Sequence, residues 1–408
     1  MKRVLFITHS FPPLQEARSI QTIKIVRHMR TAGWNPVILT VDPDRTPIGQ
    51  DKTLSGLIPE DLEIVRTPTF GPQWAISVLA RTCPSLLYLP DRQIGWIPYA
   101  KAAATRLIEQ GDFDLIYTNA KPFSSHLLGR DLKQRFDIPW VAYFSDPWVD
   151  SPYFGRKSDW QVARNVRIQQ DVLESTDGLV YNNEETRDQM LDGYVQSARS
   201  KATVIPHCFD RDLFRRSARS SRKDACTVVH TGNFYGVRSP LPLIRAANKL
   251  RNTRDGRAFD ILLVGKIDPE HERAIRSEGL DDHVRTVGSV SYLESLAYAK
   301  DADVLVSVDA PVDGSSVFFP SKLVDYLGAE KPVVGITPKG STTDRILTGL
   351  GHFVADVRDQ ENVQSTLLSA AEADARAWEA PEAYDAPRVA SSLGNHFNEV
   401  CERCASSS

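Results

Sequence analysis

The feature that most limits the possible folds is an alternation, sustained over most of the chain, between short apolar runs and amphipathic segments of helical period. "RVLFITHS" reads as a strand buried on both faces. "RSIQTIKIVRHMRTAGW" has apolar residues at three- and four-residue spacing and is capped near Gly33, and "NPVILTVD" is the next strand. The same beat continues through "LEIVRTP", "YAKAAATRLIEQG", "DLIYTN", "SSHLLGRDLKQRF", "PWVAYFSD" and "GLVYNN". It resumes in "TVIPHCFD", "CTVVHTGNF", "LPLIRAANKLRN", "FDILLVGK", "VRTVGSV", "YLESLAYAKDADVLVSVD" and "FFPSKLVDYLGAEKPVVGI". Apolar strands separated by helices are joined by parallel crossovers, so an α/β chain of parallel sheets covered on both faces is expected. At 408 residues the chain exceeds one ordinary core, and two domains follow. The expected division is residues 1–197, residues 198–380, and a helix over 381–408 that packs back on the first domain.

Composition narrows the function. A net charge of −3 offers no basic surface for nucleic acid. The five scattered cysteines read as reduced thiols of a cytoplasmic protein, and the C-x-x-C of Cys401 and Cys404 is a weak metal or redox signal. Met1 leads directly into a strand, and no run reaches the ~18 apolar residues of a membrane span. The stretch 71–99 is rich in Trp, Leu, Tyr and Arg. It reads either as an apolar helix of its own domain or as a surface that docks on a membrane or clasps a lipid-linked molecule.

Parallel sheets of this kind bind ligands beyond the carboxyl ends of their strands, so residues just past each strand carry the information. In the second half these are Gly232, Asn233 and Arg238 after "TVVHT", Lys266 after "LLVG", and Val287 in "VGSV". Ser321 and Lys322 open a short helix, with Asp325 one turn on. Three cations, Arg238, Lys266 and Lys322, together with free helix amides suit a diphosphate, and Asp325 suits a ribose hydroxyl pair. Neither G-x-G-x-x-G nor G-x-x-x-x-G-K-[ST] occurs. In the first half, His126 is a candidate for contact with the transferred group or for a base, with Asn119 and Lys121 in the same turn. Asp146, Glu16 and Arg18 are the polar candidates for a second substrate.

The runs "TVIPHCFDRDLF", "VVHTGNFYGVRSPLPLIRAANKL", "VRTVGSVSYLESLAYAKDADVLVSVD" and "FFPSKLVDYLGAEKPVVG" resemble the nucleotide-binding half of glycosyltransferase family 4. "FPP", "GWNPVILT", "IYTNAKPFSSHLLG" and "PWVAYFSDPW" look like its partner domain. The resemblance implies the GT-B fold, two Rossmann-like domains facing across a cleft. It also implies retaining, metal-independent transfer of a sugar from a nucleotide-diphosphate donor to a saccharide or lipid-linked acceptor, with no cofactor. Such chains build cell-surface polysaccharide or glycoconjugates, in the cytoplasm or peripherally at the inner face of the membrane. Several positions depart from the family pattern. Its Glu-x7-Glu falls here on Val317 and Asp325, with Asp309 or Asp313 as replacements for the first. Its arginine and lysine fall on Asn233 and Arg238, and "LQEA", Leu14 to Ala17, replaces its glycine pair. The alternatives are a GT-B nucleotide-sugar epimerase, which needs dedicated acid and base carboxylates, and a non-catalytic nucleotide-binding subunit.

Overall fold

The computed structural model describes residues 1–70, 89–149, 158–193, 196–216, 226–251, 259–311, 316–374 and 378–407. The chain forms two compact units, Met1–His207 with Ala386–Ser408, and Cys208–Asp385.

The first unit is built on a seven-stranded sheet in the order β3-β2-β1-β4-β5-β6-β7. Its strands are β1 (Lys2–Ile7), β2 (Trp34–Val41), β3 (Glu63–Thr67), β4 (Leu115–Asn119), β5 (Trp140–Phe144), β6 (Gly178–Tyr181) and β7 (Ala202–Val204). The second unit is built on a six-stranded sheet in the order β10-β9-β8-β11-β12-β13. Those strands are β8 (Cys226–Thr231), β9 (Phe259–Val264), β10 (Val284–Gly288), β11 (Val304–Val308), β12 (Val333–Thr337) and β13 (Phe353–Asp356). Every strand pair is parallel. The central strands β4, β5, β11 and β12 are buried along their whole length, as their unbroken apolar runs require.

The expected boundary at 197 is too early. Ala202–Val204 pairs with β6 as the last strand of the first sheet, and the first unit runs on to His207. The helix Ala386–Ser407 packs against the helix Ala17–Met29 of the first unit. Phe397 is fully buried there, its ring centroid 5.2 Å from that of Tyr117 and 5.3 Å from that of Trp34. Trp34 Nε1 donates to Gly394 O at 3.1 Å. A Cβ on Gly394 would stand 2.9 Å from Ala32 O, so glycine is what permits this approach.

In both sheets the chain leaves the first strand (β1, β8) to one side and returns to the other (β4, β11). This reversal opens a crevice past the strand ends, where α/β sheets take their ligands.

Candidate functional site

In the second unit the crevice lies past Thr231 of β8 and Val308 of β11. Gly232 (φ +114°) and Gly265 (φ +147°) follow β8 and β9 in conformations that L side chains rarely adopt. A Cβ on Gly265 would meet Gly232 O at 2.3 Å. The two loops are stitched together: Asn233 Oδ1 accepts from Lys266 N at 2.8 Å, Phe234 N donates to Lys266 O at 2.9 Å, and Asp268 N donates to Phe234 O at 3.0 Å. Asn233 thus ties the two loops through its oxygen, while a contact with a donor anion falls to its Nδ2 amide. Val287 is half-buried at the end of β10, beside Gly288, which bridges to Gly265.

The helix Ser321–Gly328 opens at Ser321, as the sequence indicates, with Pro320 as the extended N-cap (φ −61°, ψ 124°). Its position is set by Tyr326, whose Oη accepts from Thr231 N at 2.7 Å at the end of β8. Lys322 Nζ lies 2.9 Å from His230 Nε2, and a Cβ on Gly232 would stand 2.9 Å from the same Nζ. Burial, then the nearby Arg238, push the Lys322 pKa well below the usual lysine range, against an opposing pull from Asp309. Arg238 is half-buried, its guanidinium 5.5 Å from the Tyr235 ring centroid, and its Nε has no hydrogen-bond partner. Ser321 occupies the first helical position, half-buried. Asp325, 9% exposed, accepts from Tyr292 Oη at 3.1 Å. Burial first, and then Asp325, raise the Tyr292 pKa well above its ordinary value.

The structure brings Arg238 and Lys322 together. The Lys266 backbone is tied to the same crest, and its side chain is exposed. Asp309, one of the two replacements for the missing glutamate, accepts from Thr337 Oγ1 through Oδ2 at 2.8 Å. Val317 is half-buried, and Asp313 lies outside the described residues.

In the first unit the strand ends hold Glu16, Arg18, Asn119 and Asp146. Ser10 Oγ donates to Glu16 Oε2, and Arg18 lies over the Tyr143 ring at 4.8 Å. Asn119 Nδ2 donates to Thr22 Oγ1 at 3.1 Å, leaving Oδ1 without a partner. Asp146 pairs with Lys121 at 3.8 Å. His207, which sequence reasoning passed over, joins this crest through Tyr143 Oη at 3.4 Å and Asn182 Nδ2 at 3.3 Å. His126 does not sit where a surface base must. It is fully buried against Phe144, with a ring separation of 4.5 Å, and its Nδ1 is 2.8 Å from Thr118 Oγ1. Burial, with Arg18 adding, lowers its pKa to about 3. Of the apolar stretch 71–99, residues 71–88 lie outside the described set. Trp96 is core, fully buried and donating from Nε1 to Thr67 Oγ1 at 2.8 Å. Among the described residues no helix is long and apolar enough to cross a membrane.

Two Rossmann-like units, each a parallel sheet with a ligand crevice past its central strand, define a GT-B protein. Residues 19–213 match the family model of Glycosyltransferase Family 4. The likeness to that family covers residues 19–213, and the fold of the whole chain is GT-B. Sucrose-phosphate synthase from Thermosynechococcus elongatus superposes with a TM-score of 0.63 at 16% identity, over 100% of this chain and 98% of its own. HepE from Anabaena, solved in complex with UDP and glucose, gives 0.63 at 14% identity, over 100% and 99%. WaaG, a glycosyltransferase involved in lipopolysaccharide biosynthesis, gives 0.60 at 13% identity, over 98% and 99%. At such identities the likeness is one of fold. No curated protein sequence matches the chain.

Proposed function

We propose that the chain transfers a sugar from a nucleoside-diphosphate donor to a saccharide or lipid-linked acceptor, retaining anomeric configuration and requiring no metal. The observation that carries this is the Lys322–Arg238 pair. Two cations converge at the crevice of the second sheet, and no carboxylate ion-pairs with either among the described residues. Such a pair is unfavourable until an anion arrives, and it suits a departing diphosphate whose charge grows as the sugar leaves. These side chains can supply the neutralisation that a metal provides elsewhere. Asp325, one turn along the same helix, suits the ribose hydroxyls. The UDP and glucose held by HepE, a protein of the same fold, support a UDP-sugar as donor.

In the retaining step the acceptor oxygen bonds to the anomeric carbon on the face that the diphosphate leaves. The carbon–oxygen bond to the phosphate breaks, and the acceptor's proton passes to a phosphate oxygen, so no protein nucleophile is needed. Arg18, Asn119 and Asp146 at the first crest are the candidate acceptor contacts. The involvement of WaaG in lipopolysaccharide biosynthesis supports a product in cell-surface glycoconjugate synthesis, made at the inner face of the membrane.

A second reading, a nucleotide-binding subunit without turnover, draws on Val317 and on the commitment of Asp309 to Thr337. Incubating the purified chain with UDP-glucose and GDP-mannose separates the two. Slow release of nucleoside diphosphate and free sugar supports the enzyme. Tight binding without turnover in the presence of any acceptor supports the subunit. UDP and GDP affinities unaffected by Lys322→Ala would remove the site itself.

A further inference from the structure

One residue of the second crevice is not explained by packing alone. His230 is the penultimate residue of β8, fully buried, its ring stacked on Phe234 with centroids 4.2 Å apart. Its Nδ1 lies 2.8 Å from the Val306 carbonyl on β11. A carbonyl only accepts, so Nδ1 carries the proton and Nε2 presents a lone pair. The group 2.9 Å from that lone pair is Lys322 Nζ.

We propose that His230 is a positioning residue for the donor diphosphate. Locked in one tautomer by Val306, it holds the Lys322 ammonium in the space left by Gly232, where an incoming anion meets it together with Arg238. The inference rests on the reading that these two cations receive a diphosphate. A neutral acceptor orients the ammonium without cancelling its charge. A carboxylate in the same place would form an ion pair that the ligand had to break.

Among the described residues, the charged and titratable groups around Lys322 are few. They are His230 from β8, Arg238 from the loop after it, and Asp309 from the end of β11, itself held by Thr337. On the lysine's own helix, Asp325 is bound by Tyr292 and Tyr326 by Thr231. With its pKa lowered by burial and Arg238, Lys322 is protonated only below that depressed value, and the bound anion favours the protonated form. Affinity for the anion should therefore fall as pH rises through the titration of Lys322.

The test is calorimetric titration with UDP, and with GDP as second probe, from pH 7, where the diphosphate is fully ionised, upward until Lys322 has lost its proton. Wild type should show the falling limb. Lys322→Ala should lose it and bind roughly tenfold more weakly. His230→Phe keeps the ring stack but removes the lone pair, so its limb should move to lower pH, with roughly fivefold to tenfold weaker binding at pH 7.5. His230→Gln, which returns an accepting oxygen, should recover most of both. A variant that merely loosened packing would lower the melting temperature without moving the limb. If His230→Phe does not fold, His230→Met against His230→Gln makes the same comparison. An unmoved limb in the Phe or Met variant, with Lys322→Ala abolishing it, overturns the role of His230. Unchanged affinity and limb in Lys322→Ala overturn the diphosphate reading instead.

Discussion

If the proposed donor binds at the second crevice, Arg238 and Asp325 act on different parts of it. The Arg238 guanidinium lies beside Tyr235, and no carboxylate among the described residues ion-pairs with it, so in the proposed transfer its charge is available to oxygens that gain charge as the sugar leaves. Arg238→Ala should cut kcat by about 10- to 100-fold while weakening UDP binding far less, because only the transition state carries the extra charge. Equal losses in kcat and in UDP affinity would show uniform binding instead. Asp325→Ala should act on the ground state, weakening UDP binding by roughly tenfold. It also removes the Asp325 acceptor of the buried Tyr292 hydroxyl, at a cost of up to about 1–3 kcal/mol in stability. The double change Tyr292→Phe with Asp325→Ala should restore the melting temperature but not the affinity, and recovery of both would mean that Asp325 serves only the fold. Charge beside a strand end was what drew attention to Arg238, Lys266, Lys322 and Asp325 in the sequence. It did not reveal which way a side chain turns, and so the burial of His126 among aromatic rings was not legible. His230 was missed for the opposite reason, since a histidine inside an apolar strand looks like core until the lysine facing it is known.

At the scale of elements, the crevice depends on two loops pressed together. Gly265, at φ +147°, leaves no room for a side chain, because its Cβ would strike Gly232 O. A Cβ on Gly236, at φ +57°, would have nothing within 4 Å. Gly265→Ala should therefore destabilise the chain by about 1–3 kcal/mol in urea denaturation and impair UDP binding as the Gly232 loop shifts. Gly236→Ala carries only the conformational cost of a left-handed residue, about 1 kcal/mol, and should leave affinity within about twofold of wild type. If the two variants bind UDP alike, the loop contact is not what shapes the crevice. Local signals placed the elements well where chemistry is local. The apolar spacing of Leu323, Val324 and Leu327 matches the helix Ser321–Gly328, and proline's fixed φ suits Pro320 to the N-cap. The stitching of loop to loop through Asn233 is non-local and left no trace in the sequence.

Over the whole molecule, two parallel sheets were legible because buried strands write continuous apolar runs. The division between them was less so. β7 is a three-residue, half-buried edge strand whose membership is decided by pairing with β6, and its sequence looked like the opening of the next half. The division has a consequence for acid stability, because buried histidines are unevenly shared. Burial lowers His9 and His396 to about 4 and His126 to about 3 in the first unit, and lowers His207 well below its ordinary value. In the second unit burial does the same to His352, to about 4, and to His230. An unfolded histidine titrates near 6.5, so between that pH and the folded values the unfolded chain binds protons that the folded chain refuses. The stabilisation is complete above about pH 6.5 and is lost as pH falls towards 4, at up to about 1.4 kcal/mol per pH unit for each histidine. The first unit, with four such groups among the described residues against two, should weaken faster. Calorimetric scans from pH 7.5 to 4.5 should show its transition moving further than that of the second unit, the latter identified by its rise when UDP is added. His126→Met should flatten the acid slope of the UDP-insensitive transition alone. A larger acid shift in the UDP-sensitive transition, or an unchanged slope in His126→Met, would show that these histidines do not govern acid unfolding.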